Sequence, residues 1–569
     1  MPTRKFHALV VLLFLLLSIV LTLSRVGTAF RSFALLTPDL GVYASLAAAQ
    51  DAPTLFTGDP FLSNEKNINS YNMIYVPLIR ALQNIFGNYG TVCAFLLPFV
   101  IFIHLTGYYV LGISIFKNPW AGLLVALLLS TPVMTFYDYW GLVLDALPRF
   151  LYQAMLPFLL ALSILRGREL KWWPVIMGGV GLLNYVHPLS TPSWTVALML
   201  ALWVSAPGLG FWKKTRMMGL SIIVLLLVLS PFVINYVKST IVETSNTIGY
   251  DETMAILQSH IVTMGSSTSA SALVLFFKGR RGMGFDLTWY LVWLLGIVGI
   301  GWGLIRHGAS EKSAHVRQVA AWLTGILAIS GFVPLLEQII FAYLKRIPPE
   351  FELLRTLRYL TPLILLAAFY ALWLIRDQLQ EHNILSQAGS QYLLVGASVL
   401  LLIVWGVSSG TMRAMVYGAA RQNISCWSQG KIICPLPESS MDFINVMDVI
   451  REQTPVGTRI FSEGQEVAVR YYALRPLTFT YKDGAPLAYT DQERLLIWSE
   501  QFERMDELAR IRKFPFRHRA FVKGITELAQ DTGADCLLLK EPYQAELDYP
   551  QQMHLIYTNE HYSLYRLDP

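Results

Sequence analysis

Residues 33–44 read FALLTPDLGVYA, and they decide where the first apolar segment of the chain ends. The segment before them, from about Phe6 to Leu23, is long enough to cross the roughly 30 Å hydrocarbon core of a bilayer. Pro38 precedes the acid Asp39, and a weakly amphipathic run then reaches Gln50. We therefore expect Asp39 at the water-facing edge of the membrane, where burial and neighbouring charge tune a carboxylate for catalysis. The alternative is that Asp39 caps the helix that follows it.

The composition indicates that most of the chain lies in a membrane. Of the 569 residues, 54% are apolar and 14% are charged, and the mean hydropathy is +0.47. Further apolar runs are centred near residues 102, 127, 158, 179, 199, 227, 296, 326, 368 and 400. The sequence therefore predicts a polytopic α-helical membrane bundle of about eleven transmembrane helices. The first segment could instead be a signal peptide, but its apolar run is long for one and no small-residue cleavage site adjoins it.

The charges of the loops orient this bundle. If the N-terminus lies inside, the short loops that carry Lys117, Lys171, Lys213 and Arg376 all lie on the cytoplasmic side, as the positive-inside rule requires. The long loops then lie outside, and an odd number of helices places the C-terminus there as well. The net charge of +6 suits loops at an anionic membrane surface and offers no basic stripe for nucleic acid.

The chain divides into three parts on this interpretation. Residues 1–410 form the transmembrane domain, with a large first outer loop at residues 26–89. Residues 411–438 form a linker, and residues 439–569 form an extracytoplasmic α/β domain. In this last part, the apolar patterns predict helices at 441–452 and 492–510, and strands at 459–462, 477–481, 536–539, 554–557 and 563–566.

Four cysteines are too few for a disulfide scaffold, but two of them flank a short loop after the last apolar segment. If this loop lies outside the cytosol, a disulfide between Cys426 and Cys434 is expected. The alternative is two free thiols. Cys93 and Cys536 are expected to be ordinary buried residues.

Several cations break the positive-inside rule, because they are predicted at or near the outer face. Arginine binds phosphate oxygens through two parallel hydrogen bonds, so a substrate with a phosphate at this face would explain them. The alternative is that they pair with lipid headgroups or extend from helix ends. These cations are Arg25, Arg31, Lys278, Arg280, Arg281, Lys345, Arg346, Arg355 and Arg358.

Other candidate side chains lie on the same predicted face. Asp138 and Asp145 are seven residues apart and would share a face if the second outer loop were helical. With Asp39 they could supply a general base and an orienting or metal-binding partner, or they could be solvated loop acids. His187 ends a predicted span, where a histidine can donate to phosphate or sugar hydroxyls or simply cap a helix. Charged residues deep in the spans are nearly absent, and His104 is the main polar exception, which disfavours ion-coupled transport.

These features together resemble the GT-C superfamily of membrane glycosyltransferases, which take a sugar from a polyprenyl-phosphate carrier. The resemblance rests on a first span, a long outer loop that opens with Pro38-Asp39 and Tyr43-Ala44, an acid in the second outer loop, and a soluble part after the last span. In arabinose-transferring and protein-mannosylating members the acid is usually followed by Glu, and often by Arg before the Tyr. Here these two positions hold Leu40 and Val42.

The resemblance implies a function and a site. Asp39 would be the base that deprotonates the acceptor hydroxyl, with inversion at the anomeric carbon, and Asp138 would position the acceptor or a divalent cation, Mg²⁺ or Mn²⁺. The donor would be a lipid-linked sugar, and the acceptor an extracytoplasmic glycan, lipid or protein. The membrane would be a bacterial cytoplasmic one. Substrate-binding candidates are Tyr43, Arg25, Arg31, His187, Arg280, Arg281, Arg355 and Arg358.

Two other classes of function fit the same pattern. A non-catalytic GT-C-like scaffold or assembly protein would use the bundle and the outer α/β domain to bind partners. An exporter of lipid or polysaccharide would need a continuous polar path through the bundle, and the sequence gives little sign of one.

Overall fold

The structure is a computed structural model. It describes residues 4–26, 36–70, 73–135, 138–142, 145–236, 248–260, 286–307, 311–345, 353–413, 426, 428–431, 435–540 and 553–568. In this part of the chain the α-helices are α1 (Arg4–Val26), α2 (Pro38–Asp51), α3 (Glu65–Ser70), α4 (Tyr75–Phe86), α5 (Tyr89–Phe116), α6 (Pro119–Leu129), α7 (Pro148–Arg166), α8 (Trp173–Asn184), α9 (Thr191–Ser205), α10 (Phe211–Tyr236), α11 (Tyr250–His260), α12 (Asp286–His307), α13 (Glu311–Leu327), α14 (Val333–Leu344), α15 (Leu360–Glu381), α16 (Gln387–Ser408), α17 (Glu438–Gln453), α18 (Ala468–Tyr471), α19 (Gly484–Thr490), α20 (Gln492–Arg512) and α21 (His518–Asp531).

Eight helical stretches in the described residues have the length and composition of membrane spans. They comprise α1, α5, α7, α10, α12, the continuous helix from α13 to α14, α15 with the 3₁₀ turn before it, and α16. Many of their apolar side chains are exposed to the surroundings, as is typical of helices that face lipid. The prediction of a polytopic helical membrane protein is confirmed.

Three of the predicted spans are shorter helices. The apolar runs near residues 127, 179 and 199 form α6, α8 and α9, which have 11, 12 and 15 residues. At 1.5 Å per residue these helices are roughly 16 to 23 Å long, which is less than the thickness of the hydrocarbon core. The number of full crossings therefore stays a prediction, and so does the orientation that depends on an odd number.

Small residues allow two close helix crossings, one between α12 and α15 and one between α13 and α9. A Cβ at Gly299 in α12 would lie 2.7 Å from the Ala367 carbonyl oxygen in α15, and a Cβ at Gly325 in α13 would lie 2.5 Å from Ala197 Cα in α9. Any larger side chain would separate the backbones of these helices. One of these helices, α15, follows directly after the 3₁₀ turn Leu353–Tyr359, which carries Arg355 and Arg358.

The segment between α1 and α5 is largely helical in the residues that the structure describes. Helix α4 ends at Phe86, where Gly87 adopts a left-handed φ of 73°. Asn88 then caps α5, since its side chain accepts hydrogen bonds from the backbone amides of Gly90 and Thr91. Pro38 is the first residue of α2, and α2 reaches Asp51 as its apolar pattern indicated.

The connection between α6 and α7, which the sequence analysis takes as the second outer loop, contains a β-hairpin. Strand β1 (Val133–Thr135) pairs antiparallel with β2 (Asp138–Trp140), and Trp140 is buried with its indole N–H donating to the Leu129 carbonyl at 2.8 Å. The assumption that Asp138 and Asp145 share a face of a helix is therefore wrong. The β-branched and aromatic residues of the two strands favour the extended conformation that replaces it.

The C-terminal segment (residues 435–540 and 553–568) combines helices with a mixed sheet. Strand β3 (Ile460–Ser462) is parallel to β4 (Cys536–Lys540), which pairs antiparallel with β6 (Tyr562–Leu567), and β6 pairs antiparallel with β5 (Met553–Thr558). These four strands and the predicted helices at α17 and α20 are confirmed. The strand expected at 477–481 is wrong, because only one bridge joins Leu477 to Ile460 before the chain turns. The amide of Thr480 donates instead to the Asp483 carboxylate at 3.2 Å.

The C-terminal segment packs directly on the first outer loop. A Cβ at Gly41 in α2 would lie 3.0 Å from a ring carbon of Tyr471 in α18, and the Leu36 amide donates to the Tyr471 hydroxyl at 3.2 Å. Buried residues of α2 and α18, among them Leu40 and Val469, belong to one hydrophobic core. The start of α2 is therefore enclosed by the membrane bundle and by the C-terminal segment together.

A buried ion cluster of Asp59, Arg470 and Asp483 strengthens this contact. The Arg470 guanidinium donates to both carboxylate oxygens of Asp59, at 2.7 and 2.8 Å, and to both of Asp483, at 2.8 and 2.9 Å. The Asp59 carboxylate also accepts backbone hydrogen bonds from Phe61 and Leu62 in the loop and from Leu477 in the C-terminal segment. Buried ions need this degree of hydrogen bonding to be tolerated.

Candidate active site

Asp39 lies in the first turn of α2, one residue after the proline that starts the helix. The N-cap is Thr37, whose side-chain oxygen accepts from the Leu40 amide at 3.4 Å. The alternative that Asp39 itself caps the helix is therefore wrong. The Asp39 side chain takes no part in capping the helix, and it is 34% exposed.

The carboxylate of Asp39 lies between two cations, one on each oxygen. Arg149, in the first turn of α7, donates from Nη2 to Oδ2 at 3.1 Å. Lys482, in the turn before α19 of the C-terminal segment, donates from Nζ to Oδ1. The exposed fractions of the Arg149 and Lys482 side chains are 15% and 28%. We name Asp39, Arg149 and Lys482 the Asp39 cluster.

The Asp39 cluster is a strongly cationic environment for one carboxylate. Burial alone would raise the pKa of Asp39, but Lys482, then Arg149 and then Arg355 act against it, and the net result is a lowered pKa. Asp39 is therefore ionised at neutral pH. It can accept a hydrogen bond or a proton, but its two ion pairs stabilise the charged form and weaken it as a base.

A second acid lies beside this cluster. Asp145 is buried, and the Thr37 hydroxyl that caps α2 donates to its Oδ2. Burial raises the pKa of Asp145 to about 6, although the bond from Thr37 and the charges of Arg25 and Arg149 act in the opposite direction. The second outer loop thus brings Asp145 to the start of α2. Asp138 lies in β2, and its side chain is outside the described part of the structure, so its predicted role stays a prediction.

His187 lies in a buried polar network, and the charge of Arg149 acts on it. The Ser190 hydroxyl oxygen accepts from the Tyr359 hydroxyl at 2.6 Å and from Arg358 Nη2 at 3.1 Å. Because both acceptor positions of Ser190 are then filled, its own proton is left for His187 Nδ1, which lies 2.8 Å away. His187 is therefore the tautomer that carries its hydrogen on Nε2.

The charge of His187 agrees with this assignment. Burial lowers the pKa of His187 to about 3, and the positive charges of Arg149 and Arg355 act in the same direction. The imidazole is consequently neutral and offers one N–H donor. The bonds of the network place His187 and Arg358 on the same serine, and the field of Arg355 acts on both His187 and Asp39.

A buried group of three hydroxyls holds the turn that carries Arg355 and Arg358. The Ser193 hydroxyl in α9 lies 2.7 Å from that of Thr356 and 3.1 Å from that of Ser330. Ser330 belongs to a π-helical segment, Ala328–Phe332, which interrupts the helix between α13 and α14. Segments of this kind recur at functional sites, and this one brings a hydroxyl towards the 3₁₀ turn Leu353–Tyr359.

The other predicted residues lie in several places. Arg25 is in the last turn of α1, and its charge acts on Asp145. Tyr43 lies one turn after Asp39 and is half-buried, with its ring centroid 5.8 Å from that of Tyr75. Cys426 is disulfide-bonded, while Cys93 and Cys536 are free thiols. Arg31, Lys278, Arg280, Arg281, Arg346 and Cys434 lie outside the described residues.

The surroundings of Asp39 do not suit a divalent cation, because both carboxylate oxygens already face Lys482 and Arg149. In the described part of the chain, one group has three metal-ligand atoms within 4.8 Å of one another, namely Asp442, Glu560 and His561. It lies in the C-terminal segment and is not part of the Asp39 cluster. A metal at Asp138 stays a prediction.

Sequence reasoning missed two residues of this site, Arg149 and Lys482, whereas it had already named Asp145 as a possible partner of Asp39. Arg149 had a signal, because Pro148-Arg149 begins α7 in the same way that Pro38-Asp39 begins α2. Lys482 had none, since it lies 443 residues from Asp39 in the sequence.

Comparisons with known proteins add no family to this geometry. No protein-family model matches the chain, and no curated protein matches it significantly. The described helices make the chain a polytopic helical membrane protein, and the Asp39 cluster with the residues around it is its candidate functional site.

Proposed function

We propose that this protein is a membrane glycosyltransferase of the GT-C type, which moves a sugar from a polyprenyl-phosphate donor to an extracytoplasmic acceptor. The observation that carries the proposal is the position of Asp39. It is an ionised carboxylate at the start of a helix that follows the first membrane span, and Arg149 and Lys482 contact it while Arg355 adds to the positive field. A base beside a group of cations is what transfer from a phosphate leaving group requires.

The proposed reaction is a single displacement with inversion. The acceptor hydroxyl attacks the anomeric carbon, and the bond between this carbon and the phosphate oxygen breaks. The proton of the acceptor hydroxyl goes to Asp39, and the electron pair of the broken bond leaves with the lipid phosphate. The surrounding cations stabilise the charge that develops on that phosphate.

Two neighbouring groups have roles in this proposal. The neutral His187 offers its Nε2 hydrogen to a sugar hydroxyl or a phosphate oxygen, because Nδ1 is occupied by Ser190. Asp145 positions Thr37, and through it the first turn of α2 that carries Asp39. The bacterial cytoplasmic membrane, the outer position of the C-terminal segment and the glycan, lipid or protein acceptor belong to the same proposal.

The test is the activity of Asp39→Asn in proteoliposomes supplied with a panel of radiolabelled polyprenyl-phosphate pentoses and hexoses and with cell-envelope acceptors. Asp51→Asn is the matched control. Asp51 ends the same helix, is 28% exposed, and forms an ion pair with Arg80 at 2.6 Å. We expect transfer by the wild type and by Asp51→Asn, and its loss in Asp39→Asn. Equal transfer by both variants would exclude Asp39 as the base.

A non-catalytic scaffold is the second candidate, and one observation favours it. Both oxygens of Asp39 are engaged by cations, as in a structural ion pair, and this lowers the pKa of the carboxylate. In a scaffold, Asp39 and Lys482 would simply join the bundle to the C-terminal segment. Asp39→Asn would then lower the melting temperature of the purified protein, and no donor of the panel would be consumed by the wild type.

A further inference from the structure

The Asp39 cluster joins parts of the chain that are far apart in sequence. Arg149 comes from the membrane bundle, 110 residues from Asp39, and Lys482 comes from the C-terminal segment, 443 residues away. Each cation binds a different oxygen of the same carboxylate. The two cations therefore form a pair of donors with an anion between them.

Lys482 is held in position by the buried ion cluster. Its amide donates to the Thr480 hydroxyl at 3.0 Å, and the Thr480 amide donates to the Asp483 carboxylate. Asp483 is bound in turn by Arg470, with both side chains almost completely buried. Because the backbone around Lys482 is fixed in this way, the point from which its side chain extends is preorganised, and only the side chain has to be ordered when an anion binds.

A phosphate suits this pair of donors as well as a carboxylate does. It offers more acceptor oxygens than a carboxylate, and an arginine and a lysine are common phosphate ligands. The field of Arg355 also acts on the anion between them. The arrangement thus selects an anionic oxygen group, and in a protein that spans a membrane a lipid phosphate is the natural member of this class.

We propose that the phosphate of the lipid donor binds between Lys482 and Arg149, in direct competition with the Asp39 carboxylate. This inference rests on the proposed function and goes beyond it, because it assigns donor binding to a residue of the C-terminal segment. When phosphate takes the two cations, Asp39 loses the partners that stabilise its charge and becomes a stronger base. The donor itself therefore prepares the base for the acceptor hydroxyl.

The test is the binding of a polyprenyl phosphate without sugar to the full-length protein in nanodiscs. We expect Lys482→Met to weaken binding about tenfold or more, the usual effect of losing a hydrogen bond between charged groups. Asp39→Asn is expected to tighten binding, by about fivefold or more, because the competing carboxylate is removed. Lys482→Arg keeps the charge and should restore most of the affinity. Lys540→Met and Asp51→Asn are the matched controls, and both should bind as the wild type does.

The opposite effects of the two variants separate this inference from the proposed function. Unchanged or weaker binding by Asp39→Asn, or wild-type binding by Lys482→Met, would overturn the inference even if Asp39→Asn abolishes sugar transfer. If binding shifts as expected but no donor of the panel is consumed, the phosphate site stands and the transferase proposal fails. Size-exclusion profiles of the variants establish that each one is folded, and the tighter binding expected of Asp39→Asn keeps the proposal falsifiable if Lys482→Met does not fold.

Discussion

Two ion clusters join the first outer loop to the C-terminal segment, and they are built in opposite ways. In the Asp39 cluster one carboxylate lies between two cations, and a third of its side-chain surface is exposed. In the buried ion cluster one guanidinium, that of Arg470, lies between two carboxylates, and all three side chains are at most 1% exposed. The same type of interaction therefore occurs in an open form with an excess of cations and in a closed form with an excess of carboxylates.

The difference lies in how the remaining hydrogen-bonding groups are satisfied. Asp59 and Asp483 accept backbone hydrogen bonds in addition to those from Arg470, which is what a permanently buried pair requires. For Asp39 the structure gives two side-chain cations, and water can reach its carboxylate. An anion can exchange with the carboxylate of Asp39, but not with the carboxylates of Asp59 and Asp483. The comparison therefore suggests a binding role for one cluster and a structural role for the other.

The largest expected effect is on activity, through Asp39→Asn. Loss of a general base lowers the rate of transfer by about 100- to 10,000-fold. The melting temperature should change little, because the side chain is partly exposed and exposed ion pairs contribute little to stability. Rates of transfer and thermal melting of the same preparations measure the two effects. A large fall in melting temperature with unchanged transfer would remove the distinction between the clusters.

The next effect is on stability, through Arg470→Met. This change leaves two buried carboxylates without a counter-charge, and we expect it to reduce the free energy of unfolding by about 3 to 5 kcal/mol. Arg504→Met is the control, since the Arg504 pair with Asp531 is 44% and 62% exposed and should contribute less than about 1 kcal/mol. Denaturant unfolding in detergent, monitored by tryptophan fluorescence, compares them. Similar effects of the two changes would contradict a structural role for Arg470.

Much of the fold could be predicted from the sequence, because a bilayer leaves few choices to an apolar segment. Long apolar runs form helices, since their backbone groups have no water to bind. The strand expected at 477–481 failed for a local reason, because the Asp483 side chain takes the amide of Thr480. Periodicity alone does not reveal such competition between a side chain and a strand.

The site was predicted less completely than the fold. Asp39 was found because its position follows from the end of the first span and from Pro38. Asp145 had been named as a possible partner of Asp39, but a shared helix face with Asp138 is not how it gets there, because β1 and β2 form a hairpin in that loop and Asp145 instead accepts from Thr37. Lys482 depends on the packing of the C-terminal segment on α2, and no local pattern could have indicated it.

A smaller effect is expected from Thr37→Ala, which tests whether the cap of α2 holds Asp39 in position. The change removes the N-cap of α2 and the hydrogen bond to Asp145, and loss of a cap typically costs about 1 kcal/mol. We expect a modest fall in the melting temperature and a partial loss of transfer, because the first turn of α2 holds Asp39. Thr57→Ala is the control, since Thr57 is exposed and bonds only to the Thr54 carbonyl among the contacts described. Equal melting temperatures and rates for the two variants would mean that Thr37 does not support the site.

The last effect is confined to a narrow pH range, and it separates the two acids at the start of α2. The pKa of Asp145 is raised from 3.8 to about 6 in the fold, so the folded chain keeps this proton to higher pH than the unfolded chain does. Stability from this group is therefore present below about pH 4 and is lost as the pH rises to about 6. Asp39 has a lowered pKa, so its contribution is present above its ordinary pKa of 3.8 and is lost on acidification. Melting curves at pH 4 to 7 should show that Asp145→Asn gains stability relative to the wild type as the pH rises. Parallel curves for the wild type and Asp145→Asn would mean that burial does not raise this pKa, and that Asp145 does not differ from Asp39 in this way.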